Sequence, residues 1–206
     1  MLISSALADR RPRFRIYDQP GPGSRPPAAE SNEIHNVVIY LQTAQVPAGT
    51  VPRGGRIEQS NEQFAPHVLP VLRGATVEFP NMDDVFHNVF SLSSAKDLDL
   101  GRYPRGSSRA VTFDRAGVVQ LFCHIHSNMS AVILVLDNPF FAVPSRAGRY
   151  ALADVPPGDY TVVGWHERIR PVTRTVRVRA GETATLDFNI PLPAGGENAA
   201  RPSPAP

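Results

Sequence analysis

Residues 122–129 have the sequence FCHIHSNM and contain Cys123, the only cysteine among the 206 residues of this chain. The same segment holds His126 and Met129 in the spacing Cys-x2-His-x2-Met, which fits one tight loop whose donor atoms converge on one point. Residues 81–90, NMDDVFHNVF, supply a distant histidine, His87. We expect His87 to come from a neighbouring strand, so that one loop and one strand build a single site.

The four side chains have the chemistry of a metal site. A thiolate, two imidazoles and a thioether are the donors of a mononuclear blue-copper centre that transfers electrons. A lone cysteine is more often a small buried hydrophobe, and a lone histidine is usually a partly exposed polar residue. It is the combination that predicts one type 1 copper held by His87, Cys123, His126 and Met129.

The flanks of these segments predict an all-β fold. Short apolar runs alternate with Gly, Pro and Asp, and no stretch has sustained helical periodicity. Residues 131–136 are apolar without interruption, as in a strand that is buried on both faces. This pattern is typical of an antiparallel sandwich or barrel. The strands predicted around the site are 68–72, 75–79, 86–92, 110–113, 118–122 and 131–136.

These residues resemble the cupredoxins over positions 64–137, and the ligand loop has the length found in amicyanin. The resemblance implies a Greek-key sandwich in which Asn88 steadies the ligand loop near the sulfur. Amicyanin and plastocyanin have Ser or Thr directly after the cysteine and Pro before the second histidine, where this chain has His124 and Ile125. We expect His124 to hydrogen-bond to Asn88, which places both residues around the ligands rather than among them.

Residues 139–193 resemble a carboxypeptidase-regulatory, transthyretin-like module through GRYAL at 148–152 and VPPGDY at 155–160. The pair of modules resembles plastocyanin-like proteins of the methylamine-utilisation group. A module of this size is small for an independent core, and strand 36–41 fits either this module or the cupredoxin. If strand 36–41 belongs to the carboxypeptidase-regulatory module, the cupredoxin is inserted within that module. Strands are predicted at 148–152, 161–165, 175–179 and 186–190.

The sequence predicts four regions. Residues 1–32 are a signal-peptide remnant followed by a basic arm rich in Pro and Gly, and residues 194–206 are a disordered tail. The cupredoxin domain covers 33–138, and the second module covers 139–193. The triplet Ala6-Leu7-Ala8 fits a cleavage site after Ala8, which would place the protein in the periplasm. A chance match to this short motif is the alternative.

We expect an electron carrier, not an enzyme, that acts as a monomer and exchanges electrons with a redox protein partner. A net charge of +2 and the lack of a basic motif in the folded region argue against nucleic-acid binding, and no membrane span is predicted. Two alternatives stay open. One is a periplasmic copper-delivery protein in which His124 and His67 help to transfer the metal, and the other is a metal-free adhesion or scaffold protein. His166, at a strand end, is expected to be solvated or to cap a turn.

Overall fold

The computed structural model describes residues 33–190 and is all-β, as predicted. The expectations for residues 1–32 and 194–206 lie outside this range. Between residues 33 and 190 there is one 3-10 helix, Glu33–Asn36, and no helix long and apolar enough to cross a bilayer. The strands are β1 (Val38–Leu41), β2 (Gly55–Arg56), β3 (Glu58–Ser60), β4 (Gln63–Ala65), β5 (Val68–Leu72), β6 (Ala75–Pro80), β7 (His87–Ser93), β8 (Lys96–Tyr103), β9 (Ser108–Phe113), β10 (Gly117–Phe122), β11 (Ser130–Leu136), β12 (Phe141–Ala142), β13 (Gly158–His166) and β14 (Ile169–Val178).

Two sheets form the sandwich that carries the site. A five-stranded sheet has the order β5-β11-β10-β7-β8, and a three-stranded sheet has the order β2-β6-β9. β6 places Val77 and Phe79 in the shared core, opposite Leu121 of β10 and Ile133 of β11. The alternation in residues 75–79 and 118–122 therefore reflects one buried and one exposed face.

β11 is buried on both faces, which explains its unbroken apolar sequence. Ile133 and Val135 pack in the core of the sandwich, whereas Val132 and Leu134 face away from it into a second apolar cluster. The strand pairs in parallel with β5 and antiparallel with β10. Since both of its faces are covered, no polar residue is needed along its length.

The second face of β11 is covered by a four-stranded sheet with the order β12-β1-β13-β14. Val38 of β1 and Val163 and Trp165 of β13 pack against Val132 and Leu134 of β11. β1 pairs with β12 and β13, so the strand that fitted either module belongs to this sheet. Strands β2 to β11 therefore lie between β1 and β12 along the chain.

Two strands predicted in the carboxy-terminal part are wrong. Residues 148–152 and 186–190 form no strand, apart from one bridging residue at Asn189. Phe188 and Ile190 are nevertheless buried in the cluster on the outer face of the four-stranded sheet. The Tyr150 hydroxyl donates a hydrogen bond to the Leu186 carbonyl at 2.7 Å and ties the two segments together. Alternation thus identified the buried side chains, but a strand also needs a neighbour with which to pair.

Candidate metal centre

The pairing of β7 and β10 brings the two predicted segments to one end of the five-stranded sheet. His87 is the first residue of β7, and Cys123 directly follows β10. Phe90 of β7 lies opposite Phe122 of β10. The seven residues from Cys123 to Met129 form the turn into β11, so the loop folds back over the position of His87.

Three donor atoms meet at this end of the sheet. The ligand atoms of His87, Cys123 and His126 all lie within 4.8 Å of one another. The two Nδ1 atoms of the histidines are 3.0 Å apart, and Cys123 Sγ is 4.0 Å from His126 Nδ1. Among residues 33–190 this is the one group of three His, Cys, Asp or Glu side chains close enough to hold a metal ion. Two imidazoles and a thiolate are donors that suit copper.

The ring of His87 is held from behind by Asp83. Nε2–H of His87 donates a hydrogen bond to Asp83 Oδ2 at 2.8 Å, so the opposite nitrogen, Nδ1, is the one that faces His126. Such carboxylate–histidine pairs fix the tautomer and orientation of metal-binding histidines and raise their basicity. His87 has no solvent exposure, which leaves the ring little freedom to turn.

Asp83 is itself held by the turn between β3 and β4. The backbone N–H groups of Asn61 and Glu62 donate to its two carboxylate oxygens at 2.6 and 2.9 Å. Both residues adopt left-handed backbone angles, with φ of 54° and 52°, which point the two amides the same way. Burial by itself would raise the pKa of Asp83, but the hydrogen bonds from Glu62, His87 and Asn61 lower it below its ordinary value. Asp83 is therefore an anion behind His87.

Met129 closes the loop from the other side. Its N–H donates to the His126 carbonyl at 3.1 Å, and its side chain is 1% exposed. The side chain belongs to the same buried cluster as Cys123, Val89 and Leu121. Met129 thus lies in the same core of the sandwich as Cys123, beneath the loop that carries His126.

Asn88 connects the loop to the sheet. Its Oδ1 accepts the backbone N–H of His124 at 2.8 Å, and its Nδ2 donates to Asp99 at 2.9 Å. The expected bond between Asn88 and His124 is present, but it uses the backbone of His124 and not its ring. That ring stacks on Phe90 with centroids 3.7 Å apart and planes 2° from parallel. A backbone bond is available to any residue here, which explains why Ser or Thr is not required.

A second polar group behind the site is committed to hydrogen bonds. The Tyr103 hydroxyl donates to the Phe79 carbonyl at 2.9 Å and accepts from Gln59 at 2.7 Å. Burial raises the pKa of Tyr103 to about 12, against the opposing effects of the bond from Gln59 and the charge of Arg109. Tyr103 therefore stays a neutral phenol and supplies no anionic oxygen to the site.

The surface above the site is largely apolar. An open depression is lined by Val85, Phe86, Ile125, Arg102 and the half-buried His126. Phe86 is 56% exposed and forms an exposed apolar patch with Val85 and Ile125. His126 is therefore the member of the donor group through which the site meets solvent.

Two further histidines from the sequence analysis lie elsewhere. The Nδ1 atom of His67 lies 2.9 Å from the Ser130 carbonyl oxygen, and its Nε2 atom lies 2.7 Å from Glu167 Oε1. His166 was expected to be solvated or to cap a turn, and the solvated alternative is wrong because its side chain is completely buried against Glu33. The capping alternative is present, since the N–H of Arg168 donates to His166 Nδ1 at 3.2 Å.

Comparison with solved structures finds similarity to copper proteins. A Cu-containing nitrite reductase from Thermus scotoductus SA-01 is 24% identical over 45% of this chain, with a TM-score of 0.40, and the match spans only 25% of that enzyme. A purple cupredoxin from Nitrosopumilus maritimus is 21% identical over 40% of this chain and 99% of its own, with a TM-score of 0.36.

A reduced amicyanin variant is 20% identical over 48% of this chain and 98% of its own, with a TM-score of 0.38. No protein-family model matches the chain, and comparison with curated proteins finds no match. All three TM-scores are below 0.5.

Sequence reasoning missed one residue of this site, Asp83. Its signal is an acidic residue four positions before His87 within the loop that precedes β7. Two acidic residues, Asp83 and Asp84, stand side by side there, and only the fold tells them apart. Asp83 is bonded to His87, whereas Asp84 is exposed and pairs with Arg105.

Proposed function

We propose that this chain is a type 1 copper protein that carries single electrons between redox partners. The observation that carries the proposal is the convergence of the His87, Cys123 and His126 donor atoms within 4.8 Å. Met129, buried in the same apolar cluster as Cys123, is proposed as the fourth and weakest donor. A copper ion held by these donors would alternate between Cu(I) and Cu(II), the first favoured by sulfur and the second accepting imidazole.

The residues of the chain limit rearrangement at this site. Asp83 holds His87 with Nδ1 turned inward, and Asn88 fixes the loop next to Cys123 through the backbone of His124. Cys123 and Met129 are buried, so water has little access to the sulfur atoms. A site that is rigid and dry exchanges an electron with little reorganisation, which suits a carrier that does not convert a substrate by itself.

The apolar depression provides a route for electrons between the site and a partner. His126 is the donor that reaches this surface, and Phe86 and Ile125 form its exposed rim. We propose that a redox protein docks on this rim, which brings its own centre close to His126. The protein is proposed to act as a monomer in the periplasm, where copper is available.

The copper-delivery alternative depends on spare donors beside the loop. The His67 ring is engaged by Ser130 and Glu167 at both nitrogens, so it offers no free donor to copper. The His124 ring stacks on Phe90, and its Nε2 lies 3.8 Å from Asp99. These contacts favour electron transfer over delivery.

The test is addition of one equivalent of Cu(II) to the metal-free full-length chain, followed by visible and electron paramagnetic resonance spectra. We expect an intense charge-transfer absorption, reversible one-electron reduction and a narrow copper hyperfine splitting. Cys123→Ser is the matched control, because a serine hydroxyl stays protonated near neutral pH and forms no copper–sulfur bond. Weak colour with readily exchanged copper would favour delivery, and no copper binding would favour an adhesion or scaffold role.

A further inference from the structure

A series of polar contacts connects the four-stranded sheet with the end of the loop formed by residues 123–129. We propose that Glu167 of this sheet is a positioning residue for the metal site, acting through His67 on Ser130 and so on the neighbouring Met129. This inference rests on the proposed function, because it assigns Met129 to copper. It gives the carboxy-terminal part of the chain a role in setting the properties of the site.

The residue in the middle of this series of contacts is His67, which lies between Ser130 and Glu167. It directly precedes β5 and lies beside the first residue of β11, Ser130. Nδ1–H of His67 donates to the Ser130 carbonyl at 2.9 Å, and the His67 carbonyl accepts the N–H of Val132 at 2.7 Å. Two bonds from one residue therefore fix the start of β11, directly after Met129.

Glu167 holds the ring of His67 from the side opposite Ser130. Nε2 of His67 lies 2.7 Å from Glu167 Oε1, and the two side chains are only 15% and 23% exposed. Each ring nitrogen of His67 therefore faces an oxygen atom that accepts hydrogen bonds, which holds the ring between Ser130 and Glu167. Burial by itself would raise the pKa of Glu167, but the bond from His67 and nearby positive charges lower it, so the carboxylate is ionised. The Glu167 charge therefore strengthens the hold of His67 on Ser130.

The position of Glu167 is restrained because its two neighbours in the turn between β13 and β14, His166 and Arg168, bind a buried carboxylate. His166 and Arg168 both contact the buried carboxylate of Glu33, at 3.4 and 3.1 Å. Asn36 donates to the same carboxylate at 2.8 Å. The turn is thus bonded to the 3-10 helix that precedes β1, and Glu167 points from it towards the sandwich.

Apolar packing keeps this turn in place over the sandwich. Trp165, two residues before Glu167, packs with Val163 against Val132 and Leu134 of β11. This apolar packing lies next to the polar contacts of Glu167 and His67. It buries the face of β11 that points away from the core of the sandwich. The four-stranded sheet is therefore held on β11 by this apolar packing as well as by the polar contacts of Glu167 and His67.

The experiment compares Glu167→Ala, Glu167→Gln and Val163→Ala in the full chain. Glutamine keeps an acceptor for His67 and loses the charge, and alanine loses both. Val163→Ala weakens the same interface without touching the polar contacts of Glu167 and His67, so it controls for general loss of stability. Thermal unfolding is measured for all three, so that each is compared in its folded state.

We expect changes in the copper site, seen in its reduction potential and hyperfine splitting, and in the amide hydrogen exchange of the metal-free protein. In the copper-loaded protein, Glu167→Ala should raise the reduction potential and change the copper hyperfine splitting, because a loosened Met129 donates less to Cu(II). Glu167→Gln should lie between Glu167→Ala and wild type. In the metal-free protein, amide hydrogen exchange of Met129 and Ser130 should quicken by about tenfold or more in Glu167→Ala, as expected when a charged hydrogen bond is lost. Val163→Ala should leave the potential unchanged.

Two results would overturn the inference. One is a Glu167→Ala protein with the potential, spectrum and exchange rates of wild type, and the other is an equal shift in Val163→Ala. A wild-type protein without a copper spectrum would instead contradict the proposed function. The exchange rates of metal-free protein would still decide whether Glu167 holds the start of β11.

Discussion

The carboxylate of Asp83 accepts a hydrogen bond from Nε2–H of His87 at 2.8 Å, while Nδ1 of the same ring faces His126 at 3.0 Å. The carboxylate thus commits His87 to the tautomer that metal binding requires before any metal arrives. His87 is completely buried, and buried polar atoms need hydrogen-bond partners. A tautomer without a proton on Nε2 would leave that nitrogen facing the Asp83 carboxylate with no hydrogen bond between them. Asp83 is therefore part of the candidate site as much as the proposed ligands are.

We expect Asp83→Asn to weaken Cu(II) binding by roughly 10- to 100-fold, as is typical when a partner of a metal-binding histidine is changed. The amide oxygen can still accept from His87, but the negative charge that raises the basicity of the ring is lost. Since Cu(II) gains more than Cu(I) from a basic imidazole, the reduction potential should rise. Competition with a chelator measures the affinity, and voltammetry measures the potential. Asp84→Asn, a change in the exposed neighbouring carboxylate, is the control and should alter neither.

Met129→Leu tests the proposed fourth donor. Leucine has nearly the volume of methionine, so the core should tolerate the change at a cost of less than about 1.5 kcal/mol. Copper and the intense colour should be retained, because this donor is weak, and the potential should rise because the thioether no longer stabilises Cu(II). Voltammetry and copper analysis are the measurements. An unchanged potential, or complete loss of metal, would show that Met129 is not the weak fourth donor.

Phe86→Asp tests the apolar rim as the route for electrons. Phe86 is 56% exposed beside His126, so its replacement should leave the fold intact. When two molecules meet rim to rim, the new carboxylates would face each other, and electron self-exchange should slow by roughly tenfold or more. Added salt should restore part of the rate. Line broadening in mixtures of oxidised and reduced protein gives the rate. Leu92→Asp, at the far end of β7 and 82% exposed, is the control and should exchange like wild type.

Glu33 is expected to make stability depend on pH. Burial by itself would raise its pKa, but hydrogen bonds from His166 and Asn36 and the charge of Arg168 lower it from 4.5 to about 2. A carboxyl with a depressed folded pKa stabilises the protein above its unfolded pKa, and this stabilisation is lost as the pH falls through the folded value. Glu33→Gln should therefore lower the free energy of unfolding by on the order of 3 kcal/mol near neutral pH.

The difference between wild type and Glu33→Gln should shrink as the pH falls from 4.5 towards 2. Urea unfolding at several pH values in this window provides the test. Glu58→Gln is the control, because Glu58 pairs with Arg56 on the surface and such exposed pairs contribute little. A difference that stays constant down to pH 2 would mean that Glu33 is not the source of the acid sensitivity.

The sequence alone determined the all-β class, the strands around the ligand loop and the set of candidate donors. These features are local: the spacing of Cys123, His126 and Met129 belongs to one loop, and the unbroken apolar sequence of β11 follows from burial on both faces. The sequence also named His87 as the distant donor, and the pairing of β7 with β10 brings it to the loop.

Other features depended on which strands become neighbours. Strand β1 fitted two modules equally well, and its partner was decided by pairing with β13 across more than a hundred residues. Asp83 and Asp84 are equivalent in sequence, and only the direction of the chain before β7 turns the first towards His87. The link from Glu167 to His67 joins residues 100 positions apart. Such contacts form between surfaces that no local pattern specifies, so tertiary packing alone connected the carboxy-terminal sheet to the candidate metal centre.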